Sequence, residues 1–366
     1  MTNVLISGAG VAGSTLAYWL ARHGYEPTVV ERSPGLRSSG NPVDVRGPAL
    51  PVVEAMGVLP RLREVATRTT TMRLLDAAGR RVASVGMPAA GGGEVEVPRA
   101  DLAAVLHEAA RHDAEFLFDD TITGLHQDDG GVEVAFDRAG PRRFDLVIGA
   151  DGLHSTVRRL AFGPERDFVR HAGLHVATTP LGERVDHPRE VLIQNTPGRL
   201  VSIHPGRDEA LLAFIFRGTA TGVDHRDTDA HKRIVTQAYS DLGWRVPQLL
   251  QRFQAAEDVF FDAVSVVDLP AWSTGRIALL GDAASCVSLL GDGSSLAIAG
   301  AHTLATALAD HPSDHTAGFG RYESVHRARV TPKQRGLKRS AALLVPKTRL
   351  GLATRNLAAR LRPGTR

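Results

Sequence analysis

Short apolar runs and helical patterns alternate along the first part of the chain. The run "NVLIS" at residues 3–7 ends at a glycine, and "TVV" at residues 28–30 forms a second run. Between them, residues 14–22 carry apolar side chains at helical spacing, and Gly24 follows where a helix commonly ends. A strand, a helix and a strand in this order predict a βαβ unit with parallel strands.

The turn between the first strand and this helix follows the pattern Gly-x-Gly-x-x-Gly. Its glycines are Gly8, Gly10 and Gly13, and Val11 and Ala12 lie between the last two. The first glycine permits a tight turn, the second lets a pyrophosphate approach the backbone, and the third lets the helix pack close to the strand. A pyrophosphate there meets free N–H groups and the positive end of the helix dipole, so the pattern predicts a dinucleotide site.

An acid at the end of the second strand supports this prediction. Glu31 lies 18 residues after Gly13, near the distance at which an acid hydrogen-bonds the ribose of a bound dinucleotide. The strand, the helix and the acid are all in register, which favours a dinucleotide site over a glycine turn without a ligand. The motif alone does not distinguish NAD from FAD.

Two later strands are also followed by acidic residues. The strand in "FDLVIG" leads to Asp151 and to a helix that Ser155 is expected to cap, and the strand in "RIALLG" leads to Asp282 and a run of small residues. An acid at the carboxyl end of a buried parallel strand lies at the edge where open α/β sheets bind ligands. The small residues would let the backbone pass close to a flat ligand.

The middle of the chain has a different pattern. Residues 189–218 read as strand, turn, strand, turn, strand, and residues 228–242 and 246–258 read as helices. Residues 71–98 are expected to add a hairpin with its tip at Gly91–Gly93. These strands predict an antiparallel meander over a substrate pocket. Its candidate substrate contacts are His175, Gln194, His204, Phe214 and Phe216.

Composition and cysteine content exclude several classes of protein. The 366 residues are 43% hydrophobic, enough for a globular protein with a substantial core. Cys286 is the only cysteine, so an internal disulfide and paired-cysteine zinc motifs are excluded, and no other metal site is indicated. The sequence lacks a Gly-x-Ser-x-Gly elbow, which argues against a hydrolase. With no secretory signal pattern and no apolar stretch of about 18 residues, we expect a cytoplasmic protein.

The positive charge of the chain is concentrated at its end. The net charge is +3, and residues 330–366 contain ten Lys or Arg and no Asp or Glu. A basic end can indicate a nucleic-acid or membrane partner. No aromatic residue accompanies these charges, so no base-stacking platform is present. We interpret the segment as a terminal helix with a solvated face, and we expect neither a nucleic-acid nor a membrane partner.

The motifs together resemble a known family. The glycine turn with Glu31-Arg32, the Asp151-Gly152 pair and the Gly281-Asp282 pair, in this order over residues 3–305, are similar to the class A FAD-dependent monooxygenases, which have the p-hydroxybenzoate hydroxylase fold. The stretches "LRSSGNPVDVRGPAL" and "VPRADLAAVL" resemble most the branch of tetracycline-inactivating and polyketide-tailoring enzymes. No Trp-x-Trp-x-Ile-Pro stretch is present, which excludes the related flavin halogenases.

The resemblance implies roles for particular residues. The acid at Asp282 would hold the ribityl and pyrophosphate region of FAD, Arg99 would contact FAD, and Arg37 would lie near the nicotinamide and the flavin. Arg46 is a weaker flavin-side candidate, and no side chain is assigned as a catalyst. The expected cofactor-binding residues are Gly8, Gly10, Val11, Ala12, Gly13, Glu31, Arg32, Arg37, Asp44, Arg99, Asp151, Asp282, Gly291, Gly293, Ser294 and Ser295.

One loop departs from the family pattern. Leu289 stands where relatives commonly carry proline, Asp292 stands where glutamine is common, and the loop Leu289–Gly293 is one residue shorter. In the family this loop borders the reactive face of the flavin. An aspartate near the flavin would disfavour the anionic reduced ring by like-charge repulsion, unless it points to solvent. The departure raises the question of whether oxygen insertion is retained.

The resemblance implies an α/β fold in two domains with C-terminal helices. The Rossmann-like FAD-binding domain would comprise residues 1–70, 99–167 and 269–317, and the antiparallel-sheet substrate domain residues 71–98 and 168–268. Residues 318–366 would form a C-terminal helical segment.

The implied activity is a hydroxylation. NADPH or NADH would reduce the flavin, and O2 would form a C4a-hydroperoxyflavin that hydroxylates an aromatic or polyketide-like small molecule. Two alternatives remain: a flavin-dependent reductase or dehydrogenase on the same fold, and an FAD-binding protein without catalysis. The substrate, the choice of reductant, and a monomeric or weakly dimeric state stay open.

Overall fold

The computed structural model describes residues 1–36, 42–86, 93–207, 209–219, 222–223, 227–286 and 291–361. The strands in these ranges are β1 Asn3–Ser7, β2 Glu26–Glu31, β3 Pro42–Val45, β4 Thr71–Leu75, β5 Arg81–Gly86, β6 Val95–Pro98, β7 Glu115–Phe118, β8 Ile122–Asp128, β9 Gly131–Phe136, β10 Arg142–Phe144, β11 Leu146–Gly149, β12 Val169–Pro180, β13 Glu190–Thr196, β14 Arg199–His204, β15 Leu211–Arg217, β16 Phe260–Val267, β17 Ser273–Thr274 and β18 Ile277–Leu279.

The α-helices of the described ranges lie between and after these strands. They are α1 Val11–Arg22, α2 Leu50–Ala55, α3 Leu59–Glu64, α4 Arg99–Ala110, α5 Thr156–Ala161, α6 Thr228–Tyr239, α7 Val246–Ala255, α8 Asp282–Ser285, α9 Asp292–Asp310, α10 His315–Leu344 and α11 Arg349–Leu361. Short 3₁₀ turns span Gly47–Ala49 and Glu165–Asp167. Within the described ranges, no helix is both long and apolar enough to cross a membrane.

A mixed sheet forms the first half of the fold, with strand order β17-β18-β11-β1-β2-β7. Strands β18, β11, β1, β2 and β7 are parallel, and β17 pairs with β18 in the antiparallel direction. Val4, Leu5 and Ile6 of β1 are completely buried, as expected for a parallel strand covered on both faces. The predicted βαβ unit is confirmed, although α1 begins at Val11 rather than Ser14.

A seven-stranded sheet forms the second half, with strand order β16-β12-β15-β14-β13-β4-β5. The meander predicted over residues 189–218 is confirmed as β13, β14 and β15, joined antiparallel in chain order. Helices α6 and α7 cover one face of this sheet, where Tyr239 and Phe253 pack against Phe214. Part of the opposite face packs against α10, through Leu337 and Ala341.

The prediction for residues 71–98 is only partly correct. Strands β4 and β5 form a hairpin, whose turn is held by two backbone N–H groups that donate to Asp76. Strand β6 instead pairs with β3, because its alternating Val95 and Val97 are buried in the core around the first sheet. The predicted tip falls mainly on residues 91–92, outside the described residues.

Helix α10 packs in two cores. Near its start, Phe319 and Tyr322 belong to the core around the first sheet, and near its end, Leu337 and Ala341 belong to a core of the seven-stranded sheet. Pro332 lies between these two parts. The predicted C-terminal helices are confirmed, and the first of them connects the two halves of the molecule.

Candidate cofactor site

The predicted cofactor residues converge on one edge of the first sheet. Ser7 at the end of β1 pairs with Val30 and Gly149, and Gly149 pairs with Leu279. Because these strands are parallel, the segments that follow them leave the sheet at the same edge. The segments carry the glycine turn, Glu31, Asp151 and Asp282.

The glycine turn is tightly packed on its inner side and open on its outer side. A Cβ on Gly13 would lie 1.9 Å from the carbonyl oxygen of Gly8, and a Cβ on Gly8 would lie 2.6 Å from the carbonyl oxygen of Ala150. A Cβ on Gly10 would have no atom within 4 Å. Gly10 also precedes α1 without a side-chain cap, so the N–H groups of the first helical turn are available for a ligand.

Glu31 is held beside this turn by two backbone hydrogen bonds. The N–H of Ala9 donates to one carboxylate oxygen at 3.0 Å, and the N–H of Ser33 donates to the other at 2.9 Å. The carboxylate is therefore fixed at the end of β2, next to the open side of the glycine turn. Arg32 follows it and is exposed.

Asp151 has a structural role in the turn before α5. The N–H groups of Thr156 and Val157 donate to one carboxylate oxygen at 2.7 and 3.1 Å, and the hydroxyl of Ser155 donates to the other. The predicted cap is confirmed, since Ser155 accepts from the N–H of Arg158. Burial raises the pKa of Asp151, and these hydrogen bonds oppose the shift. Both carboxylate oxygens thus hold the α5 turn, and a direct contact of this side chain with a cofactor stays a prediction.

Asp282 and Arg99 come together from distant parts of the chain. Asp282 begins α8 directly after Gly281, and Arg99 begins α4. Burial raises the pKa of Asp282, while the positive charge of Arg99 opposes this shift. The two side chains thus form a half-buried acid and a nearby cation at the edge of the sheet.

Strand β3 and the residue that follows it are hydrogen-bonded to the beginning of α9. The hydroxyl of Ser295 donates to the carbonyl oxygen of Asp44 at 2.7 Å, and the N–H of Arg46 donates to Ser295 Oγ at 3.0 Å. Gly291 has a φ of +77°, and a Cβ there would lie 2.8 Å from a carboxylate oxygen of Asp44. The segment that contains Gly293 and Ser294 is therefore positioned directly against β3.

The negative charge of Asp292 is balanced by two cations. Arg46 Nη2 lies 2.8 Å from Asp292 Oδ1, and Lys333 Nζ of α10 lies 3.1 Å from Asp292 Oδ2. Arg46 also lies 3.3 Å from Asp44, whose pKa is raised by burial against the lowering effect of Arg46. The repulsion expected of an aspartate in this loop is thus offset by ion pairs. Leu289 and the other residues of 287–290 lie outside the described residues, as does Arg37.

Sequence reasoning missed Lys333. It lies 41 positions after Asp292 on another helix, and no local pattern links the two. A cavity of about 670 Å³ opens beside this cluster, between the segment that follows β3, α9 and α10. The residues that line it include Arg46, Glu94, Asp292, Ser295, Lys333 and Leu337.

His154 connects the two halves of the molecule. Its Nδ1 lies 3.0 Å from Glu165, and its Nε2 lies 3.5 Å from Asp262 of β16. Asp262 and Glu165 together raise the pKa of His154 to about 9, against the opposing effect of burial. The imidazole is therefore protonated at neutral pH and forms ion pairs on both sides. The sequence analysis gave His154 no role, because its partners are distant in the chain.

The predicted substrate contacts lie on opposite faces of the seven-stranded sheet. Phe214 and Phe216 pack against Tyr239 under the helices, and the ring of His175 lies against Phe216. Gln194, opposite Val201 of the same core, donates to the carbonyl of Ala77. These side chains are at most 5% exposed and form the core, which is a correction to the prediction. The corrected residues are His175, Gln194, Phe214 and Phe216.

His204 lies on the other face. Its strand neighbour Ile203 belongs to the helix-covered core, so His204 points the opposite way, to the face that also carries Asp262. Ser202 lies 2.9 Å from its Nε2. Burial lowers the pKa of His204 to about 4, so the imidazole is neutral at neutral pH. Because Asp262 reaches His154 beside the edge of the first sheet, this face is the one turned toward the cofactor residues.

Comparisons with known proteins agree with this geometry. A family model described as FAD binding domain matches residues 1–334. An uncharacterised protein of Mycobacterium tuberculosis is 42% identical over 332 residues, which cover 88% of this chain and 89% of that protein. A flavin-dependent monooxygenase of Legionella longbeachae is 33% identical over 338 residues, or 91% and 87% of the two chains. The crystal structure of the tetracycline destructase Tet(51) superposes with a TM-score of 0.87 at 29% identity, covering 98% of this chain and 96% of that one.

Proposed function

We propose a reductant and a substrate class for this protein. The proposal rests on the family, because the chain belongs to the FAD binding domain family and is a class A flavin-dependent monooxygenase. The predicted fold class and enzyme class are thereby confirmed. FAD is the cofactor that the family binds. The reductant, the substrate and the roles of single residues are inferred from the geometry.

The residues at the edge of the first sheet fit FAD. The space outside Gly10 and the uncapped N–H groups of α1 suit a pyrophosphate, and the fixed carboxylate of Glu31 suits a ribose. Asp282 with Arg99 would hold the part of the cofactor between pyrophosphate and ring, and the segment from Gly291 to Ser295 would lie beside the ring. FAD, when bound, supplies the oxygen-transfer chemistry, and the protein binds, orients and excludes water.

We infer that NADPH or NADH is the reductant and that O2 is the co-substrate. The sequence has one dinucleotide fingerprint, and that turn belongs to the FAD site. A reductant would then approach the flavin from outside and leave after hydride transfer. His154 and Asp262 would keep the two halves of the molecule in a fixed relation during this step, because their ion pair joins the halves.

The substrate would be an aromatic or polyketide-like small molecule. The similarity to a tetracycline destructase supports this class, and so does the position of His204. A neutral imidazole on the face turned toward the cofactor residues can accept a hydrogen bond from a phenol or donate one to a ketone. His204 is proposed to orient the ring to be hydroxylated.

A reductase without oxygen insertion is the second candidate, because the loop at Leu289 and Asp292 departs from the family pattern. The deciding experiment supplies the FAD-loaded protein with NADPH, ¹⁸O₂ and a panel of phenols and polyketides. We expect one ligand class to accelerate NADPH oxidation and to gain one ¹⁸O atom by mass spectrometry. NADPH oxidation that yields only hydrogen peroxide with every ligand would favour the reductase.

A further inference from the structure

The outward side of the last helix, α11, carries an apolar stripe. Leu350, Leu357 and Leu361 are 74%, 57% and 75% exposed. At about 100° per residue, the three side chains lie within about 40° of one another around the helix axis. We call these three residues the leucine stripe. Ala359 lies on the opposite side and is buried in a core of the seven-stranded sheet.

This stripe is unusual for the molecule. Among the described residues, the other exposed large apolar side chains are Met1, Leu36 and Leu343, and none of them belongs to α11. The packed side of α11 already has its partners, since Arg355 donates to Asn195 and the helix lies against β5. The stripe therefore contributes nothing to the core that α11 covers, and three aligned leucines in water indicate an external apolar partner.

The charges around the stripe favour one kind of partner. Residues 330–366 contain ten Lys or Arg and no acid, although two of these cations are engaged elsewhere, Lys333 with Asp292 and Arg355 with Asn195. Lys347 and Arg349 are exposed at the beginning of α11, and Arg360 is exposed at its end. A second copy docked through the same stripe would bring these cations together, which like-charge repulsion disfavours. An anionic surface would pair with Lys347 and Arg349, and it would lie near Arg360, which also donates to the carbonyl oxygen of Val82.

We propose that α11 docks the protein on an anionic lipid bilayer. The leucine stripe inserts at the boundary between head groups and acyl chains, and the neighbouring cations contact the anionic head groups. The helix lies in the plane of the surface, in keeping with the finding that no described helix can cross a membrane. The sequence analysis did not expect a membrane partner, because the exposure of the leucines depends on how α11 packs. This inference is independent of the proposed substrate.

Vesicle flotation of the full-length, FAD-loaded protein tests the proposal. One set of vesicles contains phosphatidylcholine alone, and the other contains equal amounts of phosphatidylcholine and phosphatidylglycerol. We expect the protein to float with the mixed vesicles and to remain behind with the neutral ones. High salt should release it, because exposed charges are screened.

Two variants separate the apolar contribution from the charged one. Leu350→Ser with Leu357→Ser should weaken binding to the mixed vesicles at least about tenfold. Lys347→Gln with Arg349→Gln should weaken it about thirtyfold. The matched control is Arg61→Gln with Arg166→Gln, which removes two exposed charges elsewhere and should weaken it far less. The two leucines and the two cations that these variants replace are all exposed. The circular dichroism spectrum and the flavin content of both variants should therefore match those of the parent.

Three results would overturn the proposal. The first is a protein that floats with neither vesicle type. The second is unchanged binding in the leucine variant, which would place the lipid contact elsewhere. The third is a dimer in analytical ultracentrifugation that the leucine variant dissociates, which would make a second copy the occupant of the stripe.

Discussion

The two sheets of the molecule differ in how directly the sequence specifies their functional side chains. At the edge of the first sheet, Gly8, Glu31, Asp151 and Asp282 lie at the end of a strand or within three residues after it, and parallel pairing brings the strand ends together. In the seven-stranded sheet, four of the five candidates lie inside a strand and His204 is the last residue of β14, and the role of each depends on which face of the sheet is covered. Four of five candidates there belong to the helix-covered core.

The comparison shows that the sequence predicts the position of a residue at a strand end more directly than the role of a residue inside a strand. A strand end is placed by the local pattern of apolar and turn residues. An interior position alternates between two faces, and tertiary packing decides which face meets a ligand. The predictions that follow test this difference, and they run from the largest expected effect to the smallest.

Phe214→Ala should lower the free energy of unfolding by about 3–5 kcal/mol, because the ring is completely buried against Tyr239 and Phe253. Urea unfolding of the FAD-free protein measures this change. The control Leu357→Ala, on an exposed side chain, should change it by less than about 0.5 kcal/mol. Unchanged stability combined with an altered KM for the substrate would instead place Phe214 in the pocket.

Gly13→Ala should destabilise the protein by about 3 kcal/mol and prevent FAD binding, because its Cβ would overlap the carbonyl oxygen of Gly8. Gly10→Ala should leave the fold intact, since its Cβ meets only open space, and should weaken FAD binding by occupying the space of the pyrophosphate. Thermal unfolding of the apoproteins and fluorescence titration with FAD separate the two effects. Equal FAD affinity of Gly10→Ala and the parent would remove the pyrophosphate from this turn.

Asp282→Ala should purify largely without flavin, because the half-buried acid beside Arg99 is expected to hold the cofactor. Asp151→Ala should retain more flavin and mainly lower stability, by about 1–2 kcal/mol, since its carboxylate holds the turn before α5. The ratio of flavin to protein absorbance measures occupancy in both variants. Full occupancy in Asp282→Ala would refute the assignment of this acid.

His154→Gln should remove a pH dependence of stability. The pKa of His154 is raised from about 6.5 to about 9 in the folded protein, so its contribution is complete below pH 6.5 and is lost as the pH rises through 9. We expect the parent to lose about 1–2 kcal/mol between these limits through this group, allowing for solvent screening. Urea unfolding at both limits measures the difference, with the exposed His126→Gln as control. Parallel profiles of parent and His154→Gln would rule out this ion pair.

Lys333→Gln should lower the midpoint potential of bound FAD by roughly 10–30 mV, or about 0.5–1.4 kcal/mol for two electrons. The substitution removes one of the two cations that balance Asp292, so the reduced flavin meets more negative charge. Reduction against a reference dye measures the potential. Lys338→Gln, an exposed lysine of the same helix, should leave it unchanged, and an equal shift in both variants would contradict a specific role for Asp292.

The parts that could be predicted share one property, which is a short sequence separation. The glycine turn, the strand before Asp282, the cap at Ser155 and the meander of residues 189–218 each depend on neighbouring residues. The parts that could not be predicted join distant segments. Lys333 reaches Asp292 from another helix, and Asp262 reaches His154 from another sheet. The placement of β6 in the first half could not be predicted for the same reason. The alternating apolar pattern of Val95 and Val97 fits a strand of either half, and only the pairing with distant β3 decides between them.

Helix α10 has a consequence for how the molecule folds. Phe319 and Tyr322 complete one core, and Leu337 and Ala341 complete another, so neither half has a finished interior without this helix. A chain that ends before residue 318 would expose apolar surface in both halves at once. We therefore expect a single cooperative unfolding transition, and we expect neither half to fold stably before α10 has been synthesised.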